Sequence, residues 1–516
     1  MSAEEEPIPL RRIIAFVAMI IGMFMAILDI QIVAASLADI QAGLGASAGE
    51  ISWVQTSYLI AEVIMIPLSG FLARALSTRI LFSCAALGFA GASLLCATAS
   101  NIDQMILYRA LQGFIGGGMI PAVFATAYTI FPRSKRAIVT PLVGLIATLA
   151  PTLGPTIGGY LSETFSWHWL FLINIIPGVM VAVTVWLLVD FDKPNMALFR
   201  RFDWIGLAAM AAFLGSMEFA LEEGPGKDWF EDEIVLGAVI LMCLGGIIFF
   251  FRALTREEPV VDLAAFRNRN FAMGSVFSFA LGTGLYGMVY LYPLYLGQIR
   301  GYDALMIGKA VFVSGAAMFL TAPLAGALSR RVDPRLILCL GFASFATSCW
   351  MLTGLTGEWD YWELFWPQVL RGAALMLCMV QINDLALGTL PPAELKNASG
   401  LFNLTRNLGG AVGLAVINTL LTRRSDFHYD RIGDHMTWSN PQFQDQLRLL
   451  TANATAHGLD GPKVALSQMV ARVTQQAAIL SFIDIFYLFF LLFLAVAALT
   501  LTMQKPAENA AAAPAH

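Results

Sequence analysis

Pro67-Leu68-Ser69-Gly70-Phe71-Leu72-Ala73-Arg74, followed after four residues by Arg79-Ile80-Leu81, returns later in the chain with small changes. The second copy is Pro323-Leu324-Ala325-Gly326-Ala327-Leu328-Ser329-Arg330, followed after four residues by Arg335-Leu336-Ile337. The offset is 323 − 67 = 256 residues, and each copy sits where an apolar run ends in a short basic loop. A half-protein that occurs twice in a membrane is the usual signature of a secondary transporter.

Composition agrees that the setting is a membrane. Of 516 residues, 58% are hydrophobic and only 13% are charged. A soluble chain could not hide that much apolar surface. Runs of about 20 apolar residues, enough to cross a bilayer as a helix, recur along nearly the whole length. Fourteen spans are expected, at roughly 13–35, 51–73, 79–99, 104–128, 137–162, 168–190, 203–221, 234–254, 270–297, 304–328, 335–354, 362–388, 397–422 and 477–503. The first is too long for a signal-peptide core and reads as an uncleaved span.

Basic residues orient the bundle. With the N-terminus inside, 19 of the 31 Lys and Arg fall in inner loops and tails, against two in the short outer loops. Six more lie in the long 423–476 segment, whose length exempts it from the positive-inside rule. Both termini are therefore expected in the cytoplasm. The repeated loops bridge spans 2–3 and 10–11, so two six-helix halves flank two inserted spans. The expected divisions are a cytoplasmic N-terminus at 1–12, a first half at 13–190, an insert at 191–269, a second half at 270–503 with a periplasmic loop at 423–476, and a disordered tail at 504–516. The expectation is an all-α membrane protein of 14 helices.

Charges inside spans carry the functional reading, because an ionisable group in hydrocarbon costs roughly 3 kcal/mol and faces a cavity or a partner. Asp29 on span 1 and Arg109 on span 4 both sit roughly 6–8 Å below the outer boundary, at 1.5 Å per residue. Equal depth permits pairing. Such a pair is either a carboxylate that trades its Arg for a proton or a static clamp between two helices. Glu62 stands near the middle of span 2, where the neutral carboxyl is favoured. It is a third proton-coupling candidate, with a structural Glu as the other reading. Asp484 and Asp384 are weaker candidates, and Lys309 and Glu218 are expected to snorkel to the interface. Arg371 matches Arg109 in the repeat and, with Arg406, can neutralise an anion or a carboxylate. Tyr58, Gln112, Asn174, Tyr292, Gln381, Asn383 and Asn403 are candidate cavity residues, although transmembrane Asn and Gln are commonly interhelical glue.

Span 5 contains Ala150-Pro151-Thr152-Leu153-Gly154-Pro155-Thr156-Ile157-Gly158-Gly159. Prolines bend the helix and small residues let it pack closely, which makes a kinked seam. Other chemistries lack support. The six cysteines all lie in apolar runs, the five His are scattered without metal-ligand spacing, and no phosphate-cradling glycine loop follows a strand. No enzyme, metal, organic cofactor or nucleic-acid partner is expected.

In these motifs the chain resembles the major facilitator superfamily, in particular its 14-span, EmrB/QacA-like drug:proton antiporter branch. Leu28-Asp29-Ile30-Gln31-Ile32-Val33 is similar to that branch's span-1 motif, with Gln where Thr is usual. Leu107-Tyr108-Arg109 through Gly113 is similar to the span-4 motif linked to proton transfer. Gly154, Pro155, Gly158 and Gly159 match the antiporter motif, with Ala150 in place of its leading Gly. Trp167-His168-Trp169 through Asn174, Gly226 through Phe230 and Pro259 through Leu263 resemble further signatures of the branch. One departure stands out. Arg74 replaces the acid of the loop between spans 2 and 3, so the usual gate relay is in doubt. Gly70, Arg74, Arg79, Gly326, Arg330 and Arg335 remain candidate gate-loop residues.

The resemblance implies a proton-driven exporter of amphipathic toxic compounds in a bacterial inner membrane, contacting lipid and working by alternating access. It also implies a periplasmic adaptor (a membrane fusion protein) and an outer-membrane channel as partners, with the 423–476 segment as their dock or a lid. A narrow exporter of one metabolite or siderophore, and a receptor or scaffold without transport, are the alternatives.

Overall fold

The computed structural model describes residues 9–256, 258–302, 304–329 and 331–502. The expected tail at 504–516, the first eight residues and Arg330 lie outside the described residues. Among the described residues all regular structure is helical.

The first half comprises α1 (Leu10–Ala35), α2 (Ala48–Leu76), α3 (Thr78–Ala97), α4 (Ile102–Ile130), α5 (Arg133–Thr164) and α6 (Trp169–Leu188). The insert is α7 (Trp204–Glu223) and α8 (Glu233–Thr255). The second half comprises α9 (Arg269–Gln298), α10 (Ala304–Leu328), α11 (Pro334–Met351), α12 (Tyr361–Leu387), α13 (Leu395–Gly433) and α14 (Gly461–Thr500). Thirteen of these are long and apolar enough to cross a membrane, and α13, richer in polar residues, completes the expected fourteen.

Local signals set the helix starts. Ser47 and Glu50 form a capping box at α2, as do Asp360 and Glu363 at α12. Asn101 caps α4 by accepting from Gln104 N, and Asp232 caps α8 by accepting from Ile234 N and Val235 N. Two helices are interrupted. α4 breaks at Gly117-Gly118, and α6 breaks at Ile173-Asn174.

The 423–476 segment differs from a plain loop. α13 continues to Gly433, a separate helix spans Pro441–Ala456, and α14 already begins at Gly461. α14 therefore starts roughly 24 Å of helix ahead of its expected boundary. The helix Pro441–Ala456 packs along this extension, where Ala454, Ala465, Met469 and Val473 are buried. The segment's polar composition hides a narrow apolar stripe that suffices for helix pairing.

Within each half, α1 packs on α5, α2 on α4, α9 on α13, and α12 between α10 and α11. The halves meet along α5–α10 and α2–α13. The insert is not peripheral on both members. α7 packs against α2 and α13, whereas α8 packs chiefly on α7 and exposes most of its apolar surface.

Candidate functional site

The buried polar core of the first half is assembled by glycine contacts. A Cβ on Gly113 would overlap the Tyr58 carbonyl, so this glycine lets α4 lie directly on the backbone of α2. That approach sets Arg109, one turn away, beside α1. Arg109 Nη1 donates to Asp29 Oδ2 at 2.6 Å, and both side chains are 0% exposed. The depth match read from sequence is thus a direct contact.

Around the pair the hydrogen bonds are dense. Gln112 Oε1 accepts from Arg109 Nη1 at 2.7 Å, and Gln112 Nε2 donates to Asp29 Oδ1 at 3.1 Å. Asn174, at the break in α6, donates to the same Oδ1 at 2.6 Å. Ser93 on α3 accepts from Gln112 at 2.8 Å. Arg109 Nε donates to the Val54 carbonyl at 3.2 Å, and its guanidinium lies 4.2 Å from the centroid of the Tyr58 ring. Tyr58, Gln112 and Asn174, expected along a cavity, are instead partners of the ion pair. Ser93 was missed; a lone transmembrane Ser gives no sequence signal.

The second half builds a related but unequal cluster. Arg371 lies 4.8 Å from the Tyr292 ring centroid and donates from Nη2 to Ser314 Oγ at 2.6 Å. Among the described residues no carboxylate comes within salt-bridge distance of it, and its Nε and Nη1 lack hydrogen-bond partners. Tyr292 Oη is likewise unpartnered.

Between the halves lies a cavity of about 20 Å³, room for about one water. Glu62, Arg406, Gln31, Tyr286, Asn407 and Met379 are among its walls. Glu62 is 3% exposed, and its Oε1 has no hydrogen-bond partner. Arg406 bonds Asn403 Oδ1 and sits 5.2 Å from the Phe124 ring centroid. Gln381 is fully buried with both polar atoms unpartnered, and Asn383 donates to the Met379 carbonyl at 2.7 Å. Of the nine expected cavity residues, Arg406 alone is in this wall. Gln31 was legible as part of the span-1 motif; Tyr286 and Asn407 had no signal.

Glu218 does not snorkel. It is 6% exposed, held inside the protein by α7 packing on α2. Lys309 is exposed.

The antiporter-motif glycines fit α5 against α1. A Cβ on Gly154 would overlap Gln31, and one on Gly158 would lie 2.7 Å from the Ile32 carbonyl. Pro155 stands inside α5 and Gly159 is buried. The opposite face of α5 meets α10, where Thr156 fills the space left by Gly308.

At the end that carries the repeated basic loops, the halves are joined. Lys396 on α13 donates to Asp192 Oδ2 at 2.6 Å and to the Ala73 carbonyl at 2.9 Å. The same Asp192 oxygen accepts from Thr78 N and Thr78 Oγ1, each at 2.7 Å. A Cβ on Gly70 would lie 2.9 Å from Asn397 Cα, so α2 and α13 touch there backbone to backbone. Ser399 donates to the Pro121 carbonyl at 2.7 Å. Asp384 accepts from Tyr128 at 2.9 Å and from Thr140 at 3.2 Å. Arg74 faces the charges of Asp262 and Glu258, Arg79 lies 4.7 Å from the Trp186 ring centroid, and Arg335 pairs with Asp333 at 2.9 Å. Gly326 lines a lateral groove of about 490 Å³ between α5 and α10. Asp192, outside the repeated motif, thus supplies an acid at a loop whose own acid is replaced by Arg74.

At the far end a vestibule of about 530 Å³ opens between α7, α9, α13 and α14. Nearby, Asp484 accepts from Arg424 at 2.5 Å and contacts His428 Nε2 at 2.7 Å.

A two-half helical bundle with paired ions at depth and a cavity between the halves is the architecture of secondary transporters. The chain belongs to the major facilitator superfamily, whose profile matches residues 19–414. It is of the EmrB type. Over 95% of its length it is 42% identical to 96% of the colistin resistance protein EmrB of Acinetobacter baumannii. Over 96% it is 30% identical to 96% of the multidrug export protein EmrB of Escherichia coli, and equally to 96% of the fatty acid resistance protein FarB of Neisseria gonorrhoeae. The proton:xylose symporter XylE shares the fold, with a TM-score of 0.58 at 11% identity over 96% of both chains.

Proposed function

We propose that this protein is a proton-driven exporter of amphipathic toxic compounds in the bacterial inner membrane, with both termini cytoplasmic. The observation that carries the reading is the buried Asp29–Arg109 pair and its ready substitutes. Breaking a buried ion pair from one side costs about 3–5 kcal/mol, because the other charge is stranded. Here the Val54 carbonyl, Gln112 Oε1 and the Tyr58 ring already touch Arg109. They hold the guanidinium when a proton neutralises Asp29, so the carboxylate can release its partner at lower cost. Glu62, unpartnered at the midplane, is a second place for a proton.

The unequal ends support alternating access. The basic end is joined by Lys396 and Asp192, while the far end has its vestibule. Rocking of the halves about α5–α10 and α2–α13 would break the first. The names of the EmrB and FarB relatives support amphipathic cargo, and the 423–476 helices are the surface available to an adaptor that leads to an outer-membrane channel.

The test is a susceptibility screen in an efflux-deficient host, with and without a co-expressed adaptor, against colistin, long-chain fatty acids and lipophilic dyes. Protection against several, abolished by a protonophore in dye-efflux assays, is expected. Protection against one compound alone would favour a narrow exporter. No protonophore-sensitive flux would sink the proton-driven reading.

A further inference from the structure

Two pairs of side chains extend from the far-end vestibule toward the midplane cavity. Glu222 and Tyr290 line the vestibule. Tyr286 lines the midplane cavity together with Glu62. Between them stands Glu218. Glu218 and Glu222 are four residues apart on α7, and Tyr286 and Tyr290 are four apart on α9, so each pair stacks on one helix face with Cβ atoms about 5–6 Å apart. The charges couple in the same order. Glu222 acts on Tyr290 and on Glu218, Glu62 acts on Glu218, and Glu62 and Glu218 both act on Tyr286.

α7 is held close enough for this. Gly215 faces Ile60 and Ile64 of α2, and a Cβ there would meet each at 3.4 Å, in ordinary contact. Ser52 donates to Glu223 at 3.1 Å, and Trp229 donates to Thr419 of α13 at 3.0 Å, which anchors the insert's far end to both halves. The buried end of the row is a polar atom without a partner, Glu62 Oε1.

We propose that the inserted helix α7 supplies a proton path, in which Glu222 and Glu218 relay protons between the vestibule and Glu62. The proposal rests on the proton-driven reading above and adds to it a route separate from Asp29–Arg109. A hydronium in the vestibule protonates the Glu222 carboxylate. That proton moves to the Glu218 carboxylate, restoring Glu222, and then to Glu62, which becomes a neutral carboxylic acid and restores Glu218. No bond other than O–H is made or broken. The charged and titratable groups around Glu62 are Arg406, Tyr286, Arg109, Asp29 and Tyr58; those around Glu222 are Glu223 and Tyr290. Arg406 shares the cavity wall with Glu62.

The path assigns the insert a transport role that a lipid-facing spacer would not have. Everted vesicles carrying Glu218→Gln, Glu222→Gln or Glu218→Asp, with ethidium as the probe, test it. Proton-driven ethidium uptake is expected to fall at least tenfold in E218Q, less in E222Q because vestibule water can bypass it, and to recover in E218D. Ethidium exchange at equal concentrations without a proton gradient should stay within twofold of wild type. Unchanged driven uptake in E218Q overturns the path while leaving proton drive intact. Loss of exchange together with uptake in E218Q, and no recovery in E218D, also overturns it, because the residue is then structural. Wild-type vesicles with no proton-driven uptake remove the reading on which the path rests.

Discussion

Arg109 and Arg371 occupy matching places in the two halves, yet among the described residues only Arg109 faces a carboxylate. Each guanidinium lies over a tyrosine ring, Tyr58 at 4.2 Å and Tyr292 at 4.8 Å. Asp29 completes the first cluster; in the second, Ser314 Oγ accepts from Arg371 at 2.6 Å. A duplicated scaffold has kept its cation–π shelf in both halves and its acid in one. The proposed proton exchange in the first half rests on this asymmetry.

It follows that Arg371 can be neutralised with less harm to coupling than Arg109. Arg371→Gln is expected to lower stability, since it removes a charged hydrogen bond, yet retain driven transport within about fivefold. Arg109→Gln should abolish driven transport. The comparison is made in vesicles at matched protein level, and equal losses in both variants would contradict the asymmetry.

The Asp29–Arg109 pair separates two roles by a double substitution. Asp29→Asn leaves a buried guanidinium without its carboxylate, and the remaining partners of Arg109 should hold the loss of stability below the about 3–5 kcal/mol of a fully stranded charge. Adding Arg109→Gln removes the stranded charge and should restore most of that loss. Driven transport should be absent in both variants. Thermal unfolding in detergent reads the first effect and vesicle flux the second. A double variant that regains transport with stability would make the pair a static clamp.

Close contact of α4 with α2 is a separate prediction. Gly113→Ala places a methyl into the Tyr58 carbonyl, a backbone atom that cannot swing aside. Overpacking of this kind costs about 1–3 kcal/mol and would displace Arg109 from Asp29. Gly91, which has nothing within 4 Å, is the control. Gly91→Ala should be neutral or slightly stabilising, because alanine favours helix. Equal melting temperatures for the two variants would argue against the close approach.

How much of this was legible in the sequence depends on the kind of residue. Span positions and the two-half plan follow from hydrophobic length and a repeated loop, which are properties of single segments. Asp29 and Arg109 were legible because an uncompensated charge at known depth needs a partner. Glu218 was misread for a related reason: its distance from a span end is one-dimensional, whereas its burial depends on which face of α7 meets α2. Asn174 and Gln112 were found with cavity lining and interhelical bonding both open, since an amide's partner is invisible until helices are placed. Ser93, Tyr286 and Asn407 gave no signal, being ordinary residues made special by neighbours more than 100 residues away in some cases. The 423–476 helices were missed as helices because their apolar stripe is narrow.

The junction of the halves at the basic end gives the last prediction. Lys396 and Asp192 meet at 2.6 Å, mostly buried, and the same carboxylate oxygen ties the start of α3 through Thr78. A hydrogen bond to a charged group contributes about 1.5–3 kcal/mol. Lys396→Met removes the ionic link between halves but leaves the Thr78 bonds, the Ser399–Pro121 bond and the Asp384 bonds to Tyr128 and Thr140, so the first half should keep its fold. The population open at the basic end should then rise by about tenfold or more. Asp192→Asn weakens both links and should open that end at least as far. Spin labels placed at the basic ends of α2 and α13 report the change as a longer distance component. Proton-driven export should fall in both variants, because an end that opens without cargo exchange uncouples the cycle, whereas gradient-free substrate exchange should persist. Unaltered distance distributions in K396M would mean that the Gly70–Asn397 backbone contact and the Ser399–Pro121 bond hold this end without the ion pair.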